Sequence, residues 1–116
     1  MRIVFRKVSI MKEKEMLLSD VIARSKRIRS NYHELENQYH GSEWTIEEDV
    51  LAFLTDAGLV GRLTMAQQKR WPVSGDEVSQ LEHKLSECIW WILVLADRMD
   101  IDIIKSLDVF LSKLER

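Results

Sequence analysis

Two carboxylates in this chain stand in apolar surroundings. Asp56 is set among Phe53, Leu54, Ala57, Leu59 and Val60, and Glu87 lies between Leu85 and Cys88. A carboxylate within an apolar run is costly to bury unless it is paired or binds a cation. If the two segments carrying them pack antiparallel, the acids face each other across a groove. Together they could hold one hard cation such as Mg²⁺, which prefers carboxylate oxygens and keeps several waters. The plainer alternative puts each acid at the solvent edge of its helix, with Lys84 paired to Glu87 at i,i+3.

Other chemistry-bearing residues give weaker signals. His33, His40 and His83 have no partner at metal-ligand spacing. Cys88, the single cysteine, reads as a small core residue rather than a nucleophile and excludes an intrachain disulfide. No glycine-rich phosphate loop is present. Of Trp44, Trp71, Trp90 and Trp91, Trp44 is the candidate for base contact, because it precedes the segment that carries Asp56. At least three of the four read as packing or interface residues. The basic cluster Arg24 to Arg29 reads as a solvated helix face, with an anion site as the alternative.

The elements that must position these residues are helical. Four glycines and one proline are too few for strands joined by tight turns. Leu17, Leu18, Val21, Ile22, Ile28, Tyr32, Leu35 and Tyr39 recur mostly every three or four residues, which predicts a helix from about Met16 to Tyr39, closed by Gly41. Thr45 followed by Glu48 is a capping box, so a second helix runs from Thr45 to about Gln68. Its Ala57, Gly58 and Gly61 form a small-residue patch, suited to close helix approach or to a bound ligand. Pro72 marks a break. Ser74 with Glu77 reads as a second capping box starting a third helix near Gly75. Leu81, Leu85, Cys88, Ile89, Ile92, Leu95, Ala96 and Met99 give that helix an apolar stripe. Trp90, Trp91 and Val94 lie outside the stripe, so burial on several sides, one of them against another subunit, is expected. Asp102 caps a fourth helix to about Leu114, with Ile103, Ile104, Leu107, Phe110, Leu111 and Leu114 facing inward.

The expected architecture is all-α and four-helix bundle-like. Residues 1–14 are an N-terminal extension of unassigned structure, and 15–116 form a single domain. A net charge of −2 provides no general attraction to nucleic acid or anionic membrane. The longest apolar run, Cys88 to Ala96, is too short to span a bilayer. A cytoplasmic location fits these features and the lone cysteine.

From Trp44 to Asp102, about half the chain, the sequence resembles the MazG-like family of all-α nucleoside triphosphate pyrophosphohydrolases. The matching pieces are Glu43 to Thr45, Phe53 to Gly58, Arg62 to Ala66, Leu81 to Trp90 and Leu95 to Asp102, with a weaker match at Lys113 to Arg116. The resemblance implies Mg²⁺-dependent hydrolysis of a nucleoside triphosphate to monophosphate and pyrophosphate, in a homodimer or homotetramer whose helix pairs complete one another's pockets. It implies metal held by an E-E-x-x-E motif on one helix and E-x-x-D on the next. Here the first motif falls on Thr55, Asp56 and Leu59, and the second on Lys84 and Glu87, so two of five carboxylates survive. Asp56 and Glu87 are then the candidate metal ligands. Trp44 and Lys84 are the candidate substrate contacts, and no residue is assigned as catalytic. An asparagine that some members carry for nucleotide contact is Val94 here. Asp49 shares a face with Asp56 but lies about 10 Å along the axis. The alternative implied by Leu59 and Lys84 is a MazG-like fold that no longer catalyses and serves as a nucleotide- or protein-binding oligomeric module.

Overall fold

The computed structural model describes residues 15–115, so the extension at 1–14 lies outside the described residues. Four helices and no strand are found among them: α1 (Leu18–His40), α2 (Ile46–Gln67), α3 (Glu77–Arg98) and α4 (Ile103–Leu114). The all-helical class expected from the sequence holds.

Helix ends follow local chemistry. Gly41 ends α1 in the left-handed region at φ 75°, and its N–H donates to Asn37 O at 3.0 Å. At the start of α2 the Glu48 N–H donates to Thr45 Oγ1 at 3.1 Å, and the Thr45 N–H donates to Glu48 Oε1 at 3.0 Å, completing the capping box. The cap of α3 differs from expectation. Asp76, not Ser74, accepts from the Val78 and Ser79 N–H groups, so the helix begins at Glu77. An ionised carboxylate one residue from the helix is the stronger acceptor for the orphan N–H groups. Asp102 caps α4 through the Lys105 N–H at 3.1 Å.

The α2–α3 turn is held by Arg62. Its guanidinium donates to Trp71 O and Pro72 O and lies 3.6 Å from the centroid of the Trp71 ring. Lys69 turns the chain with φ 63°. The two helices then run back antiparallel as the main packing unit, and α1 lies across α3.

The apolar core is small: Leu63 and Ala66 of α2 with Trp91, Leu93, Val94 and Ala96 of α3. This corrects the expected stripe of α3. Leu85, Ile89, Ile92 and Met99 are exposed, while the side centred on Trp91 and Val94 meets α2. Sequence periodicity detects a stripe on α3, but two apolar sides compete there and α2 takes the one that also carries Lys84 and Arg98. Likewise α4 fully buries none of its residues: Ile103 is half-buried, while Ile104, Leu107, Phe110, Leu111 and Leu114, also expected inward, are exposed. Gly58 and Gly61 also lie open: a Cβ at either position would meet nothing within 4 Å, so no helix closes on that patch among the described residues.

Candidate functional site

The α2–α3 seam is built from residues seven apart. On α2, Asp49, Asp56 and Leu63 fall on one side and are all buried. On α3, Lys84, Glu87, Trp91, Val94 and Arg98 alternate by three and four, which is also one helix side. Antiparallel packing sets Asp49 against Arg98 and Asp56 against Trp91.

At the centre of the seam, Asp56 is 9% exposed. The Lys84 ammonium donates to Asp56 Oδ1 at 3.1 Å and to Glu87 Oε1 at 3.0 Å. The Trp91 indole N–H donates to Asp56 Oδ2 at 2.9 Å. His83 Nε2 approaches Glu87 Oε1 at 2.8 Å. Burial works to raise the Asp56 carboxyl. The hydrogen bonds from Trp91 and Lys84, with the lysine charge, outweigh it and hold the group below its ordinary value. Lys84 is raised, first by its hydrogen bond to Glu87, against an opposing contribution from burial and with further support from Asp56. The Cys88 thiol is pushed up by burial and by the nearby Asp56 and Glu87 charges, which opposes thiolate chemistry.

Thus Asp56, Glu87 and Lys84 come together. Trp44 lies elsewhere, on a groove of about 340 Å³ that also touches Arg29, Tyr32, Glu87, Trp90 and Trp91. Lys84 borders a second cavity, about 530 Å³, with Leu59, Arg62 and His83. Thr55 is turned away, its hydroxyl donating to Leu51 O at 2.9 Å.

As they stand, these residues do not fit a divalent ion. The inner oxygens of Asp56 and Glu87 converge on a cation that the chain itself supplies, and the other Asp56 oxygen accepts from an indole. An octahedral ion would need those same oxygens, and it would sit within a few ångströms of an ammonium.

A second charged cluster was not anticipated. Asp49 is 0% exposed. Arg29 donates to Asp49 Oδ1 at 2.8 Å, and Arg98 donates to Asp49 Oδ2 at 2.8 Å. Arg29 also donates to Glu36 Oε2 at 2.8 Å, and Glu36 accepts the Trp44 N–H at 2.7 Å. Arg98 reaches Trp44 O at 2.9 Å. Burial works to raise Glu36, yet the bonds from Arg29 and Trp44 hold it below its ordinary value. Arg29 is therefore no part of a solvated face, which corrects the expectation for Arg24 to Arg29. Its guanidinium lies 5.9 Å from the Trp44 ring centroid and 5.7 Å from that of Trp91. The signal was partly present: Asp49 and Arg98 each sit seven residues from Asp56 and Trp91. The Arg29 partnership, 20 residues distant and on another helix, left no pattern.

The chain matches no family model, no curated protein and no solved structure.

Proposed function

We propose that this chain is a MazG-like all-α domain in which the Lys84 ammonium takes the place of a divalent metal, leaving a non-hydrolytic binding module that assembles with copies of itself. The observation that carries this reading is Lys84 Nζ lying 3.1 Å from Asp56 and 3.0 Å from Glu87. A fixed monovalent charge satisfies both acids but offers no open coordination position for water or phosphate oxygens. The alignment behind it is supported by geometry: Leu59 and Lys84, two positions where the resemblance expects acids, border the same cavity.

Self-assembly is supported by uncovered apolar surface. Leu85, Ile89, Ile92 and Met99 form a stripe on α3, and α4 exposes Leu107, Phe110, Leu111 and Leu114. Contiguous apolar surface of this kind marks an interaction site. Light scattering on the eluting protein should give a dimer or tetramer, and Ile89→Glu should shift it toward monomer. A clean wild-type monomer would remove the assembly part of the reading.

A second reading keeps the Mg²⁺-dependent pyrophosphohydrolase that the resemblance implies. It draws on the convergence of Asp56 and Glu87 on one point. Calorimetric titration with Mg²⁺ and Mn²⁺, together with a pyrophosphate-release assay over a nucleotide panel, separates the two. The proposal expects neither heat nor release from the wild type, and metal binding by the Leu59→Glu, Lys84→Glu double variant. Pyrophosphate release by the wild type would overturn it.

A further inference from the structure

The groove between α1 and α3 shares no lining residue with the cavity beside Leu59 and Lys84. Its walls are unusually aromatic. Tyr32 and Trp90 meet edge-on with centroids 6.1 Å apart, and Trp90 and Trp91 lie 4.7 Å apart at 51°. Trp44 closes the remaining side. Aromatic rings gathered in one concavity attract a cation through their quadrupoles, as the Arg29 guanidinium beside Trp44 and Trp91 already illustrates.

The charge balance on the groove floor points the same way. Among the charged residues that line the groove, Arg29 is matched by Glu36, and the Asp49–Arg98 pair outside the lining adds no net charge. At the other cluster the Lys84 ammonium serves both Asp56 and Glu87, one fixed positive charge for two carboxylates. Glu87 is the member of that cluster that reaches the groove. Both of its contacts, to Lys84 and His83, fall on Oε1; Oε2 has no hydrogen-bond partner among the described residues.

We infer that this groove binds a small free organic cation with a methylated ammonium head, its methyl groups against Tyr32, Trp44 and Trp90 and its charge toward Glu87 Oε2. The volume, about 340 Å³, suits one such head rather than an extended chain. The inference does not depend on whether the chain hydrolyses nucleotides or how it assembles.

Tetramethylammonium chloride is the probe, titrated at constant ionic strength against sodium chloride while the four indole N–H signals are followed by NMR. tert-Butanol serves as the uncharged isostere. Saturable shifts of the Trp44 and Trp90 signals are expected, with tert-butanol at least tenfold weaker. Tyr32→Ala should weaken tetramethylammonium about two- to fivefold. Tyr32 is 49% exposed, so circular dichroism should report an unchanged fold. Glu87→Gln should weaken it by a similar factor. Equal binding of the alcohol, or no saturable shift, would overturn the inference. So would a trimethyllysine peptide binding more than tenfold tighter than the free cation.

Discussion

Lys84 Nζ lies 3.1 Å from Asp56 Oδ1, although the two residues are 28 apart in sequence. This bond joins α2 to α3 at the middle of their seam, and Glu87 completes the ion triad from the same turn of α3. Replacing Lys84 by Met leaves two acids facing each other with no cation. Because the lysine side chain retains 24% exposure, water relieves part of the cost. The expected loss is about 1–2 kcal/mol, between the range for surface pairs and that for buried ones. Urea denaturation measures it. Asp56→Asn combined with Lys84→Met should lose less than the two single losses added together.

Asp49 should be the more sensitive position. Its carboxylate is fully buried and accepts from two arginines on two other helices. Asp49→Ala takes the buried carboxylate from both guanidinium groups, leaving Arg29 to Glu36 and Arg98 to Trp44 O, and should cost about 3 kcal/mol, the lower end for a broken buried pair and enough to unfold a marginal domain. By contrast, Lys26 pairs with Asp97 at 3.2 Å with both side chains largely in water. Lys26→Ala should change stability by less than about 0.5 kcal/mol. Chemical denaturation of both variants compares the two directly.

Acid should weaken the seam. Asp56 and Glu36 are both held below their ordinary values in the folded chain. The stability they contribute is therefore present above the unfolded-state values, near pH 4, and is lost as pH falls through the lower folded values. Lys84 acts in the opposite direction: its raised value keeps its contribution intact below about pH 10 and loses it above. A melting-temperature profile should be flat between about pH 5 and 9 as far as these groups are concerned, and fall on the acid side. Asp56→Asn should shallow that acid limb. An unaltered limb in this variant would show that Asp56 carries no linked proton.

The caps offer a separate check on the local chemistry. Thr45→Ala removes the acceptor for the Glu48 N–H, and Asp76→Ala removes the acceptor for those of Val78 and Ser79. Each should cost about 1 kcal/mol by thermal or urea unfolding, whereas Ser74→Ala should cost almost nothing.

Much of the helix map was legible because caps and breakers act locally. Thr45 with Glu48, Gly41 and Asp102 each end an element where sequence reading expects. Ser74 with Glu77 imitates the same signature, and only the competing Asp76 carboxylate decides the start of α3. The convergence of Asp56, Lys84 and Glu87 was legible too, since acids in apolar runs need a counter-charge. What escaped was the choice of face. α3 is apolar on more than one side, and no spacing rule says which side α2 covers. The outward stripe of α3 and the bare α4 follow from the same ambiguity. Arg29 was hidden because its neighbours Arg24, Lys26 and Arg27 are all exposed, so a run of like residues masks the one that turns inward.

A cation tethered by four methylenes cannot diffuse away. Lys84 is held beside Asp56 and Glu87 at an effective concentration fixed by the backbone, not by the surrounding ion pool. The α2–α3 hairpin should therefore melt at the same temperature with or without a chelator. Acetylation of Lys84 would do what chelators cannot, removing the cation and leaving the Asp56 and Glu87 carboxylates without it.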